Sequence, residues 1–205
     1  MLRYFYAPGT CSLAGMAALE LSGADFEAIA VDLAGDRAQL RAVNPSGKVP
    51  VLVTEARTVT DTVAILYYLA RRFPEAGLLP LSDDEMTTAL STMAWLGSSL
   101  HILRRQFARP MMFVADAGAE ALLRAAARPR YWQGLQEVDA WCAGEQLPLG
   151  VEIYALVFYN WGMIDGLPVG ELASFSKMVT RLLAWPDVVR ALDSHRSPLT
   201  AAQAT

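Results

Sequence analysis

Short runs of alternating apolar and polar residues fill the first third of the chain, and helical spacings fill the rest. Leu2–Tyr6 (LRYFY) reads as an aromatic strand, and Ala7-Pro8-Gly9-Thr10 is turn chemistry. Ser12–Leu21 carries Leu13, Met16, Ala17, Leu19 and Glu20 at helical spacing, with Gly23 placed to end the helix. Phe26–Val31 reads as a second strand and Asp36–Val43 as a short helix. Asn44-Pro45-Ser46-Gly47 then turns the chain into Val49–Val53, a strand interrupted by Pro50. Arg57–Thr60 is a fourth short strand. Asp61–Arg72 follows as a helix with Val63, Leu66, Tyr67 and Leu69 on its inner side. The order β-α-β-α-β-β-α predicts a small α/β sandwich whose first two strands are parallel, joined by a right-handed crossover.

Beyond Leu78-Leu79-Pro80 the pattern is helical throughout. Asp83–Phe107 is a long helical stretch that Pro110 ends or kinks. Ala117–Ala127 and Tyr131–Ala143 read as two helices separated by Pro129. Glu152–Met163, Glu171–Ala184 and Pro186–Leu192 complete the set. The segment Pro74–Ser82 is the expected linker, which gives an α/β domain over residues 1–79 and an all-α domain over 83–205. The small, polar tail from Ser197 is expected to fray.

Composition narrows the function classes. The 205 residues include 17 basic and 21 acidic side chains, a net charge of −4, with 54% hydrophobic and 19% charged residues. That excludes a disordered chain and argues against nucleic acid as a partner, which would need a basic face. No run approaches the ~18 apolar residues of a membrane span, so no membrane partner is expected. The start of the chain lacks a basic region followed by an apolar block, so no secretory signal is expected. Two cysteines, Cys11 and Cys142, make no disulfide framework, and with two histidines they make no recognisable metal site. A cytoplasmic chain with reduced thiols is the expectation.

Three local features point to chemistry. Cys11 follows a Pro-Gly turn and immediately precedes a helix, where unpaired N–H groups stabilise a thiolate and lower its pKa. The alternative is a small buried hydrophobe. Ala14 stands where a second cysteine would complete a dithiol, so a redox role would need an external thiol. Val49-Pro50 is either an edge proline or a cis bond that turns the Val49 N–H and C=O toward a cleft, where a peptide-like ligand can add as a strand. Thr60-Asp61-Thr62 is either a helix cap or a pair of groups for a zwitterion. In the second case Asp61 accepts from an ammonium while Thr62 and the free N–H groups hold a carboxylate.

In combination these segments resemble the glutathione transferase superfamily. The matching stretches are Tyr6-Ala7-Pro8-Gly9-Thr10-Cys11-Ser12-Leu13, Asn44-Pro45-Ser46-Gly47-Lys48-Val49-Pro50-Val51-Leu52 and Thr58-Val59-Thr60-Asp61-Thr62-Val63-Ala64-Ile65-Leu66-Tyr67-Tyr68-Leu69. The opening is similar to the bacterial beta-type class, of which the chain looks like a divergent member.

The resemblance implies a thioredoxin-like glutathione-binding domain followed by a helical domain lining the pocket of a small hydrophobic electrophile, in a homodimer. It implies glutathione as the thiol cofactor, bound by Thr10, Cys11, Val49, Pro50, Asp61 and Thr62. Cys11, Tyr6 and His101 are the implied catalytic residues, with Arg105 and Phe107 also bordering the pocket. Either Arg37 or Arg41 would meet the glycyl carboxylate. The implied activity is detoxifying conjugation, Cys11-dependent thiol–disulfide exchange or isomerisation. The alternative is a non-catalytic binding or regulatory protein on the same fold.

Three departures from the family pattern stand out. Asp61-Thr62 replaces the commoner Glu-Ser, and Ile102 follows His101 where many relatives have Lys. In Gly144–Glu152, Leu149 stands where a capping Ser or Thr is expected.

Overall fold

Strand β1 (Leu2–Tyr6) is the centre of a four-stranded sheet in the order β2-β1-β3-β4. It pairs in parallel with β2 (Phe26–Ala30), Leu2 opposite Phe26 and Tyr6 opposite Ala30. On its other edge it runs antiparallel to β3 (Val51–Val53), which pairs antiparallel with β4 (Thr58–Thr60). The structure, a computed structural model, describes residues 1–144 and 146–201; Glu145 and residues 202–205 lie outside the described residues. Strand β3 begins at Val51 rather than Val49, because Pro50 has no N–H to give a ladder.

Alternation along the strands sorts the core into two layers. Tyr4 and Leu52 face helices α1 (Ser12–Leu21) and α3 (Thr62–Arg72). Phe5 and Val51 face Leu40 of α2 (Ala38–Val43). This is the thioredoxin-like arrangement expected. Helix α1 is buried from Ser12 to Leu19, too completely for a helix with one wet face. It lies against α3, α7 (Leu149–Ile164) and α9 (Pro186–Ser194), so one continuous apolar cluster runs from Tyr4 to Leu199.

Of the expected inner face of α3, Leu66 and Leu69 are buried, but Ile65 and Ala70 join them in place of Val63 and Tyr67. Tyr67 is 42% exposed. The apolar stripe is wider than one face, and its outer edge (Val63, Ala64 and Tyr67) lines an open groove of about 530 Å³. Met86 and Leu90 of α4 (Asp83–Trp95) form the opposite wall.

The long helical stretch from Asp83 is not uniform. Helix α4 passes through a π-turn at Leu96–Leu100 into α5 (His101–Ala108), whose residues are all half-buried. In contrast, α6 (Ala117–Ala143) is a single helix of 27 residues that carries Pro129 inside it. Arg128, Pro129 and Arg130 all face solvent, so water can satisfy the backbone carbonyl that proline leaves without a donor. Packing against α5 holds the helix on either side of the proline.

Helix α7 starts at Leu149 with Pro148 at its cap and no side-chain cap bond, as the missing Ser or Thr implied. Glu152 instead pairs with Arg181 of α8 (Ala173–Leu183). The chain beyond Ser197 does not fray as far as it is described. Pro198–Ala201 forms a short α10, Leu199 is buried, and the Ser197 hydroxyl donates to Asn160 Oδ1 at 2.6 Å.

Candidate active site

The loop from β1 to α1 is tied down before it delivers Cys11. The Thr10 hydroxyl donates to the Ala7 carbonyl at 2.8 Å and lies 2.6 Å from the Ser12 hydroxyl, which accepts from the Ala7 N–H at 3.2 Å. The Tyr4 hydroxyl donates to the Ser12 carbonyl at 2.6 Å. Gly9 sits at φ +72°, a backbone region that suits glycine, and its carbonyl accepts from Trp161 Nε1 at 2.8 Å. These contacts place Cys11 at the cap of α1, half-buried.

The electrostatics there oppose the simple helix-terminus argument. Burial pushes the Cys11 thiol pKa up. The Thr62 hydroxyl and the residue's own backbone N–H pull it down, Asp61 adds a further rise and Arg105 a further fall. Burial is the largest of these influences, so the resting side chain is a thiol at neutral pH. The Tyr154 pKa is likewise raised, by burial first and then by Cys11, with the Thr62 hydroxyl acting in the other direction. Cys11, Thr62 and Tyr154 therefore bear on one another electrostatically where α1 and α3 begin.

Asp61 holds φ +66° and ψ +138°, in the left-handed half of the map, and its carboxylate caps nothing in α3. A non-glycine residue held there costs on the order of 1–3 kcal/mol and is typical of ligand clamps. Its side chain is exposed while Thr62 beside it is 5% exposed. The first N–H groups of α3 thus open next to a free carboxylate. The Val49–Pro50 bond is cis. Val49 lies outside β3, and its N–H and C=O enter none of the turn and loop hydrogen bonds among the described residues.

His101 opens α5, its ring 4.8 Å from that of Trp161 and 6.3 Å from that of Phe158. Burial, then the charges of Arg105 and Arg104, push its pKa down to about 4, so it is neutral at pH 7. Arg104 forms a two-point ion pair with Asp165 at 2.8 and 3.0 Å and lies 4.4 Å over the Trp161 ring.

Tyr6 is placed differently from the other expected residues. Its ring packs against His195 at 5.2 Å, beside the last long helix. Arg37 reaches the Gly47 carbonyl at 3.4 Å, beside the Val49 segment. Sequence reasoning missed Trp161 and Tyr154 altogether. Their signal was the aromatic row Tyr154, Phe158 and Trp161 on one face of α7, spaced i, i+4, i+7, with ring separations of 5.5 and 5.3 Å. Among the described residues no group of three or more His, Cys, Asp or Glu side chains is placed to hold a metal.

Comparison with known proteins converges with this geometry. Residues 15–77 match the family profile described as glutathione S-transferase, N-terminal domain. The glutathione S-transferase GstA of Escherichia coli O157:H7 is 29% identical, covering 94% of this chain and 98% of its own. A sphingomonad glutathione S-transferase, solved in complex with glutathione, is 31% identical with a TM-score of 0.80 over 94% of this chain and 98% of its own. The maleylacetoacetate isomerase of Pseudomonas aeruginosa is 26% identical over 94% of this chain and 90% of its own. The chain belongs to the glutathione transferase superfamily, as an enzyme of the transferase or isomerase type.

Proposed function

We propose that this enzyme binds glutathione between Val49, Asp61 and the Cys11 loop, and transfers its thiol to a small apolar electrophile. One observation carries the reading: a carboxylate that caps nothing, held at a positive φ beside the free N–H groups of α3 and next to the buried Thr62. In this reading Asp61 accepts from the γ-glutamyl ammonium, and Thr62 with the α3 N–H groups receives its carboxylate. The unpaired Val49 backbone and the adjacent Pro50 receive the cysteinyl part as an added strand.

The burial that raises the Cys11 pKa supports a role as donor rather than nucleophile. A neutral thiol is a hydrogen-bond donor, and a donor aimed at the glutathione sulfur favours the glutathione thiolate. The thiolate attacks the electrophilic carbon and forms a C–S bond. Either a leaving group departs with the bonding pair, or the pair moves onto a neighbouring carbon that takes up a proton. The same addition followed by elimination gives isomerisation. Thr10, with its hydroxyl on Ala7, positions the loop, and His101 lines the pocket as a neutral ring.

The open groove between α3 and α4, where Tyr67 is exposed and Val63 and Leu90 are half-buried among the described residues, supports a homodimer. The test is calorimetric titration with glutathione, followed by conjugation of chlorodinitrobenzene. Asp61→Asn is expected to weaken glutathione binding about tenfold or more, as loss of a charge-assisted bond does, with a smaller effect on kcat. A wild-type protein that binds no glutathione overturns the proposal.

A further inference from the structure

Arg104 and Arg105 are neighbours on α5 with opposite circumstances. Arg104 is locked by Asp165. Arg105 lies one helical turn beyond His101 and therefore on the same face. Among the described residues it meets no carboxylate. Its Nη2 donates to the Met112 sulfur at 3.4 Å, and its guanidinium lies 6.0 Å from the Phe113 ring centre. Thioether sulfur is a weak acceptor, so a half-buried fork of donors is left largely unanswered.

The surroundings reinforce this. His101 stacks on Trp161, which holds Gly9, two residues before Cys11, so Arg105 stands on the His101 side of the same site. Its charge is felt at Cys11, and more than that of Arg104 at His101. Met112 and Phe113 beside it are 54% and 43% exposed, an apolar lip open to solvent among the described residues. Asp61, the acid that also bears on Cys11, is assigned above to the glutathione ammonium.

We propose that Arg105 receives a carboxylate on the electrophile, so that the preferred substrates are small apolar electrophiles carrying one carboxylate. Their apolar body rests on Met112 and Phe113 and their reactive carbon faces the glutathione sulfur beside Cys11. This rests on the transferase reading. For an activated alkene the sulfur forms the new C–S bond. The alkene pair moves to the adjacent carbon, which takes up one proton from solvent to replace the proton the thiol released. The carboxylate is unchanged, and Arg105 binds it without entering the bond changes.

Ethacrynate and its methyl ester share one reactive alkene and differ only at the remote carboxylate, which makes them the probes. The wild type is expected to show a lower KM for the acid than for the ester. In Arg105→Gln the ratio of kcat/KM for acid over ester falls by roughly tenfold or more, chiefly through the KM of the acid, and Arg105→Lys keeps most of the preference. Equal losses on both substrates overturn the inference, because Arg105 would then serve glutathione or the fold. A wild-type KM for the acid no lower than for the ester overturns it without any variant. Conjugation of the ester in either case leaves the transferase reading standing. A wild type that binds no glutathione removes that reading and this one together, whereas one that binds glutathione and conjugates neither substrate overturns this inference alone.

Discussion

Trp161 Nε1 donates a 2.8 Å hydrogen bond to the carbonyl of Gly9, 152 residues earlier in the chain. One indole thus fastens α7 to the loop that presents Cys11, while its ring faces carry His101 and Arg104. Trp161→Phe keeps a ring and removes the donor. It is expected to cost about 1 kcal/mol, lower Tm by roughly 2–4 °C, and raise the KM for glutathione more than it changes kcat. Thermal unfolding and steady-state kinetics check both halves. An unchanged KM would show that the loop holds its shape without this contact.

Acid should destabilise the fold through its histidines. His195 is 2% exposed, and neither ring nitrogen has a partner among the described residues. Burial pushes its pKa down to about 4. The unfolded chain has the ordinary value near 6.5, so between the two it binds more protons than the folded chain. The stability is therefore fully present above about pH 6.5 and is lost as the pH falls through that window toward 4, by up to about 3 kcal/mol. His101, also pushed down to about 4, acts in the same direction. Urea unfolding between about pH 7 and pH 5 measures the slope, and His195→Phe, which preserves the stack on Tyr6, should flatten it.

Cys11 should react as a thiol, not as a standing thiolate. Its alkylation by iodoacetamide in the free enzyme is expected to be slow at neutral pH, with an inflection above the ordinary thiol value of 9.0. Cys142, pushed up to about 11, should be slower still. Cys11→Ser retains a donor and is expected to keep conjugation within about tenfold while abolishing any disulfide-reductase activity. An inflection near pH 7 would reverse the assignment of donor and nucleophile.

The pair of Glu152 and Arg181 substitutes for a missing cap. Glu152 is 3% exposed at its side chain, and its Oε2 has no partner among the described residues. Pro148 at the cap of α7 has no N–H to offer it. Arg181→Met strands a buried charge and is expected to cost about 2–4 kcal/mol, less than a fully buried pair because Arg181 is 40% exposed. Combining it with Glu152→Leu should recover much of that loss. Denaturant titration of the two single variants and the double variant decides the point.

The parts of this molecule written in local chemistry were the legible ones. Turn residues and period-two alternation located all four strands, and α1 matched residue for residue. Pro129 misled because its local penalty is real but is outweighed by packing on both sides and a wet outer face. Tyr67 misled because the apolar stripe of α3 is wider than the face it buries. In the site, Cys11, Val49, Asp61 and Thr62 announced themselves through short motifs. Trp161 and Tyr154 arrive by tertiary packing alone. The direction of the Cys11 pKa was hidden for the same reason: desolvation depends on what the rest of the chain stacks around the thiol.

The wide turn at Leu96–Leu100 amounts to one surplus residue in an otherwise regular rod. Removing Ser98 or Ser99 would let the winding become regular with little net rotation, because the residues of a wide turn each advance less than the roughly 100° of an α-helical residue. His101 and Arg105 would then stay on the Trp161 side. The surplus residue is therefore a local widening of the rod, and the cleft face of α5 inherits no rotation from it.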